Sequence, residues 1–557
     1  MRARLGAVLT VGAPVVLFGL LAWDRRWMSD DGYINLRVVW NVLHGHGPVF
    51  NIGERVEAGT SPLWILVLVV GRILLWWVDP GWVAVLTGIA LTLVGVALAI
   101  VGARSWWRSL GREATLPLGA VALVALPPMW DFASSGLETG LTFAWLGGCW
   151  AALAGRLRHE TPPRVCDPFW LPVLVGLGPL VRPDLALVSL VFAVALVATS
   201  AVDRRGALRA LAVGAAAPVA YQLFRMGYYG LLVPNTALAK EADQALWGRG
   251  WTYLRLYLES TGVVLFLLAL AVAFAVALIG AKPGRRHVIV AAAPVVAAAV
   301  HLLYIVRVGG DFMFARMLLP ATFALVCPVA ALPAPAWRPE GRRVATGVLG
   351  VASIAAVVVA VVVAGGRESF GDDDTLGGRV VDERDSWVFI VENPHPVSVG
   401  DFDRSRMLSA ALRVLPVPGM LFEMGRGTTT PAPETAVVTT TLGYMGVHLV
   451  GTRVVDGASL SEPIGAHLRI AERWRAGHEK PMPRAWIVAR HASPDDPGPE
   501  VAAAIEALTC GDLAELVDAV EEPLTPGRFL RNLVGSVDRT RLRIPRDPVA
   551  ARNDFCE

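Results

Sequence analysis

Long apolar runs separated by short polar stretches fill residues 1–364, and from 365 onward the pattern shortens and turns polar. Uncharged runs such as 5–23 and 344–364 match the length of about 20 residues that a helix needs to cross a bilayer. Spans are predicted near 5–23, 82–103, 114–130, 137–155, 168–181, 185–201, 207–226, 261–281, 288–307, 316–333 and 344–364, eleven in all. The segment 61–78 is also apolar but carries Arg72. If it spanned, the later arginine clusters would fall on the wrong side. Laid in the interface as an amphipathic or re-entrant piece, it brings every loop into agreement with the positive-inside rule. Cytoplasmic loops then hold Arg104/Arg108/Arg112, Arg156/Arg158/Arg164, Arg204/Arg205/Arg209, Lys282/Arg285/Arg286 and Arg338/Arg342/Arg343. The outer stretches 131–136 and 308–315 carry no basic residue. Arg2 and Arg4 place the N-terminus in the cytoplasm, and 24–81 becomes the first outer loop. Without a small-residue cleavage site before Trp23, the first run reads as an uncleaved span.

Residues 365–557 predict one extracytoplasmic α/β domain. Segments 436–441 and 485–489 read as buried strands, 501–508 and 513–520 as helices, with prolines 494, 497 and 499 in a turn. The predicted fold is thus a polytopic α-helical membrane protein, 1–364, followed by that domain, 365–557.

Composition removes several classes. Hydrophobic residues make up 54% and charged residues 17%, against about 25% charge in soluble proteins. A cytosolic enzyme, a disordered chain and a fibrous repeat are excluded. A net charge of +3 gives no argument for nucleic acid. Of five cysteines, none sits at metal-ligand spacing. Cys149 and Cys327 lie in apolar runs, whereas Cys510 and Cys556 both fall in the polar tail. A disulfide between those two is the expectation in an oxidising compartment, two free thiols the alternative.

On this topology nearly every unusual polar cluster faces outward: Asp30-Asp31, Arg37, Glu54, Glu57, Asp131, Glu138, Arg182-Pro183-Asp184, Asn235, Lys240, Asp311 and Arg316. Ionisable groups near membrane depth are costly and usually line a cavity or pathway. Asp30 and Asp31 open a predicted helix, 32–44, so they serve either as caps or as a base, nucleophile or cation ligand. Pro183 breaks a long apolar stretch, leaving Arg182 either paired with Asp184 or free for an anionic head group. Lys240, one of three lysines among 50 basic residues, either snorkels or meets a phosphate. In 309–316, Asp311 and Arg316 are either turn residues or ligands for a substrate. Tyr228, Tyr229, Trp247, Trp251, Tyr253 and Tyr257 read as an interfacial aromatic belt. No Walker A, dinucleotide, G-x-S-x-G or H-E-x-x-H motif is present. A polytopic protein without nucleotide machinery, working outside the membrane, needs a donor already activated there. A lipid-phosphate sugar meets that need.

At these residues the chain resembles the GT-C superfamily of polyprenyl-phosphate-dependent glycosyltransferases, which place an acidic motif in the first outer loop. More narrowly it is similar to the terminal β-(1→2)-arabinofuranosyltransferases of the mycobacterial and corynebacterial envelope. The matching stretches are 30–34 (DDGYI), 45–57 (GHGPVFNIGERVE), 60–64 (TSPLW), 135–139 (SGLET), 309–318, and in the tail 477–481 (GHEKP) with 483–486 (PRAW). Met28, Ala58 and Ala315 depart from the family pattern, the last standing where a glycine is expected.

The resemblance implies a plasma-membrane enzyme with decaprenylphosphoryl-D-arabinofuranose as lipid-linked donor. Its acceptors would be the arabinan ends of arabinogalactan and lipoarabinomannan, and its other partners membrane lipids. Donor and product are both β in that family, so the transfer retains configuration through a covalent carboxylate intermediate or front-face attack. On that reading Asp30 is base or nucleophile and Asp31 orients it. Arg182, Asn235, Lys240 and Arg316 bind the donor, while Arg37, Glu138, Asp184 and Asp311 bind sugar and acceptor hydroxyls. The tail guides the glycan. No cofactor is required by this reading, and the acidic pair leaves room for a divalent cation. Rival readings are a GT-C mannosyltransferase, a lipid-linked sugar transporter and a non-catalytic scaffold. A transporter calls for paired broken helices in both halves, and only Pro183 marks such a break.

Overall fold

The computed structural model of the chain describes residues 2–334, 379–405 and 417–557. The expected span 344–364, the basic loop at Arg338, Arg342 and Arg343, and the expected domain boundary at 364/365 lie outside the described residues. The chain divides into two compact units, one from Met1–Trp27, Val85–Pro218 and the described part of Ala245–Phe370, the other from Met28–Ala84, Val219–Gln244 and the tail.

Unit one is helical and apolar, as the hydrophobic runs predict. Over the whole described chain, three helices are long and apolar enough to cross a membrane: Pro80–Arg108, Arg204–Tyr228 and Arg285–Val308. Trp247–Thr261 and Val263–Leu278, bent by 73°, make a fourth if they form one broken span. Gly262 between them takes φ 60, a left-handed conformation that interrupts the helix. Eleven such spans were expected. Several expected spans instead appear as shorter pieces, broken where proline removes a helical donor. Segment 114–130 resolves into Leu118–Val124 and Pro127–Asp131, and 168–181 into Trp170–Gly176 and Gly178–Val181. The break expected at Pro183 is present: Arg182 is extended, and a short turn over Pro183–Leu185 leads into Ala186–Ala198. Helices pack through small residues. A Cβ on Gly95 would lie 2.5 Å from the Phe143 carbonyl carbon, and one on Gly140 would lie 2.2 Å from the Gly88 oxygen. Such close backbone approach suits helices that cannot rely on a hydrophobic driving force. Two-residue strands β1 (Thr115–Leu116) and β2 (Leu332–Pro333) pair antiparallel.

Unit two joins the tail to Met28–Ala84 and to Val219–Gln244, where the sequence predicts a tail folding by itself. Its sheet contains β3 (Met420–Glu423), β4 (Thr428–Pro431), β5 (Ala436–Thr439) and β6 (Arg453–Asp456), in the order β4-β3-β5-β6. β4 runs antiparallel to β3, while β3, β5 and β6 are parallel, with Phe422 opposite Val437 and Val437 opposite Val454. Buried Leu421, Ala436 and Val455 pack with Trp486, Val501, Leu513 and Ile544 in one apolar core. The predicted helices are found as Gly498–Ala507 and Gly511–Glu521, and the strand at 436–441 as β5. Segment 485–489 is a helix, Arg484–His491, not a strand. A five-residue apolar run cannot separate the two states by periodicity, and Pro483 at the N-cap decides for the helix. Cys510 and Cys556 form a disulfide across 46 positions. The interfacial segment appears as Pro62–Leu74, 13 residues, about 20 Å long and short of a bilayer core of about 30 Å.

Candidate active site

In unit two the acidic pair stands in the first turn of the Asp30–Leu43 helix. Capping is done by Ser29, whose side chain accepts the Gly32 N–H at 3.0 Å, so neither aspartate is needed as the cap. Asp30 instead reaches the first turn of the Leu442–His448 helix. Its Oδ2 accepts the Gly443 N–H at 3.0 Å and its Oδ1 the Tyr444 N–H at 2.8 Å. A Cβ at Gly443 would sit 1.7 Å from the Asp30 carbonyl oxygen, so glycine is what lets the two helices meet. Burial pushes the Asp30 carboxyl up to about 7 against the pull of those two amides, and the charges of Asp31 and Asp456 add to the rise. The two adjacent carboxyls thus have separate environments, which is how paired acids are given separate tasks.

Lys240 follows the short helix Asn235–Ala239. The tail motif 477–481 is clamped beside it. Lys480 is buried, donates to the Leu238 carbonyl at 3.0 Å and the Ala466 carbonyl at 2.8 Å, and lies 3.3 Å from Glu241. Arg473 meets Glu241 at 2.6 Å and Glu479 at 3.3 Å. Gly477, at φ 81, rests against the Lys240 stem, where a Cβ would come 3.0 Å from Cε. His478 is held below its ordinary imidazole value chiefly by burial, then by Arg475. The charge of Asp31 opposes this shift and that of Lys240 adds to it. Asp31, Lys240 and His478 therefore share one electrostatic neighbourhood. Sequence reasoning gave His478 no role, although the 477–481 string was its signal.

Two expected binding residues are struts. Arg37 is buried and donates to Phe50 O (2.6 Å), Gly446 O (2.6 Å), Leu449 O (3.2 Å), Asn51 Oδ1 (3.1 Å) and Thr452 O (2.8 Å). Guanidinium has five N–H donors, and five acceptors within the protein take them. Asn235 is fully buried, and its amide donates to Ser459 O, Leu460 O and Glu462 O at 3.4, 2.9 and 3.3 Å. It ties 235–239 to the tail. Glu57 and Glu54 are struts as well. Glu57 accepts from Tyr221 at 2.7 Å and Arg225 at 2.6 Å, and Glu54 meets Arg453 at 3.2 Å and Arg490 at 3.3 Å.

Unit one brings together five more expected residues. Arg182 pairs with Asp184 at 3.0 Å and Glu138 at 3.5 Å; Arg316 pairs with Glu138 at 3.5 Å and Asp311 at 3.6 Å. His301, which the sequence did not single out, lies 2.7 Å from Asp184. All six are buried or nearly so, and three carboxylates face two guanidiniums and an imidazole. The arginines are matched by acids and are not bare cations. Ala315 takes φ 65 just before Arg316, the left-handed conformation that explains why a glycine is expected there. Tyr253 and Tyr257 are buried, their hydroxyls bonded to Met313 O at 2.8 Å and Thr322 at 3.0 Å. Tyr229, in unit two, is likewise buried and donates to Pro48 O at 2.8 Å. These three are internal, not members of an interfacial belt, whereas Trp247 and Trp251 are exposed.

Among the described residues no group of three or more His, Cys, Asp or Glu side chains is arranged to hold a metal ion. The room for a divalent cation expected beside the acidic pair is not matched by a ligand set there.

A model of the AftB family C-terminal domain matches residues 423–554. The terminal β-(1→2)-arabinofuranosyltransferase of Mycobacterium tuberculosis is 34% identical, with 98% of this chain and 96% of that protein covered. The protein of the same name from Corynebacterium glutamicum is 32% identical, with 95% of this chain and 84% of its own length covered. No solved structure matches. Identity of this order across nearly the full length of both proteins goes beyond a shared motif, and the chain belongs to the family of terminal β-(1→2)-arabinofuranosyltransferases.

Proposed function

We propose that this chain is a membrane glycosyltransferase that moves D-arabinofuranose from a polyprenyl-phosphate donor, decaprenylphosphoryl-arabinofuranose, onto arabinan ends, making terminal β-(1→2) linkages. The observation that carries the reading is the acidic pair at the start of the Asp30–Leu43 helix, one carboxyl fixed by two backbone amides and its neighbour close enough for its charge to act on His478. The reaction breaks the bond from anomeric carbon to phosphate oxygen and forms one from that carbon to the acceptor hydroxyl oxygen. The hydroxyl proton goes to a carboxylate, and the phosphate leaves as an anion. A general base supplies about 100-fold or more to such a step.

The sequence led us to make Asp30 the reacting group. Its two amide bonds favour the reverse assignment: Asp31 acts on the acceptor hydroxyl or the anomeric centre, and Asp30 positions it. Lys240 is assigned to the donor phosphate, which a compact ammonium suits. The residues of unit one are a cluster of their own, for which the resemblance supports phosphate binding by Arg182 and Arg316 and hydroxyl binding by Glu138, Asp184 and Asp311. Their mutual pairing means that a ligand must compete with a carboxylate for each guanidinium. We place the enzyme in the plasma membrane with the N-terminus inside and the acidic pair and tail outside, a reading that the arginine distribution supports.

Purified protein in detergent is given synthetic decaprenylphosphoryl-arabinofuranose or polyprenyl-phosphate mannose with a short arabinan acceptor. Transfer from the arabinose donor, with little or none from the mannose donor, is expected. Transfer from mannose alone would keep the enzyme class and overturn the donor, and transfer from neither would overturn the reading.

A further inference from the structure

Unit two contains a cleft of about 360 Å³ that the reaction above does not use. It opens at the edge of the sheet where β3, β5 and β6, all parallel, reach their C-terminal ends. In open α/β sheets that edge is where ligands bind. Glu423 ends β3, Thr440 and Thr441 follow β5, and Gly457 follows β6. Arg426 and Arg484 complete the polar lining.

The chemistry of the lining is that of a polyol site. Glu423 accepts from Arg484 at 2.8 Å and lies 3.7 Å from Arg426, while both arginines stay largely solvent-exposed, 42% and 63%. One carboxylate between two guanidiniums offers donors and acceptors side by side and leaves a net charge of +1. Threonine hydroxyls add groups that both donate and accept. Val438, Met482 and Ile487 give an apolar wall against which the C–H face of a sugar ring can lie. The volume falls at the small end of the usual range for ligand sites, about 300–1,000 Å³, room for one or two furanose rings and not for a long chain.

Its position links it to the acidic pair. Thr441 precedes by two residues Gly443, whose N–H holds Asp30. At a maximum of about 3.6 Å per residue, the cleft wall comes within about 7 Å of that amide along the chain. Asp456, which precedes Gly457, is close enough for its charge to act on Asp30.

We propose that this cleft is an acceptor subsite: it binds one or two sugar rings of the glycan chain behind the ring that receives the new residue. The proposal rests on the acidic pair being the transfer site. Glu423 cancels one of the two guanidinium charges, and its carboxylate and the threonine hydroxyls supply acceptors that the hydroxyls of a sugar can use and an anion cannot.

The test is a titration that needs no turnover. A short arabinofuranosyl oligosaccharide is titrated into the full-length protein, followed by isothermal calorimetry or ligand-observed NMR, for the parent, Thr440→Val, and Arg426→Ala with Thr440→Val. Both substituted positions are exposed, and melting temperatures report whether the fold is kept. Affinity is expected to fall about tenfold in the double variant, the equivalent of one to two lost hydrogen bonds. The acceptor KM should rise by the same factor with the donor KM unchanged. Asp31→Asn should bind the oligosaccharide as the parent does. Unchanged affinity in a folded double variant overturns the subsite, as does displacement of the oligosaccharide by inorganic phosphate. If the parent binds the oligosaccharide through these residues but transfers nothing to it, the reading of the acidic pair fails while the binding site stands.

Discussion

Asp30 and Asp31 are neighbours in sequence with different surroundings. Both Asp30 oxygens rest on amides more than 400 residues away, and burial lifts its carboxyl to about 7. An acid whose folded value lies above its unfolded one, about 4, stabilises the fold below that lower value and loses the contribution as pH rises through about 7. The parent should therefore lose melting temperature relative to Asp30→Asn between about pH 4 and about pH 7. A difference that does not change with pH would contradict the burial argument. At Arg37, removal of the guanidinium takes one donor from each of four carbonyls and from the Asn51 side chain, although Phe50 O keeps the Asn41 amide, Leu449 O the Thr452 N–H and Asn51 Oδ1 the Val454 N–H. Arg37→Met should destabilise by about 3 kcal/mol or more, and Arg37→Lys should not restore the loss, since an ammonium has three donors where five are used. Thermal melts in detergent decide this, and a melting temperature close to the parent's would restore a binding role. Sequence reading found the acidic pair because two carboxylates after a span are rare. It could not separate their tasks, since Gly443 and Tyr444 come near only in the fold. The partners of Arg37 and Asn235 were hidden for the same reason. A buried strut and a ligand-binding residue have the same letter, and only their carbonyl partners tell them apart.

The elements that matter most in unit two are short. The strap 473–480 is tied to 235–241 by Lys480 and Arg473 on Glu241, and this sets Gly477 against Lys240. Gly477→Ala would impose a left-handed φ on a side chain, costing about 1–2 kcal/mol, and would push the Lys240 stem aside. We expect the donor KM to rise about tenfold with a smaller change in kcat. Equal effects on donor and acceptor KM would point to general loosening of the strap. The string 477–481 was visible in the sequence, but its place beside Lys240 was not, because the pairing joins segments more than 200 positions apart. Secondary structure was legible where the period was long enough. The Gly498–Ala507 and Gly511–Glu521 helices follow from amphipathic spacing. The five-residue run at 485–489 fits either state, and the structure makes it helical.

For the molecule as a whole, hydrophobic runs foretold a helical membrane protein and an α/β tail. They did not foretell that 28–84 and 219–244 would fold with that tail. The contacts responsible are Arg37 to the end of the Leu442–His448 helix and the residues after it, Asn235 to 459–462 and Lys480 to 238, each a polar bond between distant segments. Hydropathy carries no record of such bonds. The Cys510–Cys556 bridge closes a loop of 46 positions, which in a chain-entropy model stabilises by about 4 kcal/mol. Cys556→Ser should lower the melting temperature of the protein, and reductant should lower that of the parent but not of the variant. Equal sensitivity of both to reductant would show that the bridge contributes nothing.

The central claim is that the acidic pair in unit two performs the transfer, with Asp31 as the reacting carboxylate. Its most direct test is single-turnover transfer from decaprenylphosphoryl-arabinofuranose by Asp31→Asn, with the parent and Asp30→Asn alongside and donor binding measured for each. The account predicts that folded Asp31→Asn binds donor as the parent does and turns it over about 100-fold more slowly or worse. Turnover within about threefold of the parent, in a folded protein that binds donor, would contradict the account and move the chemistry elsewhere in the chain.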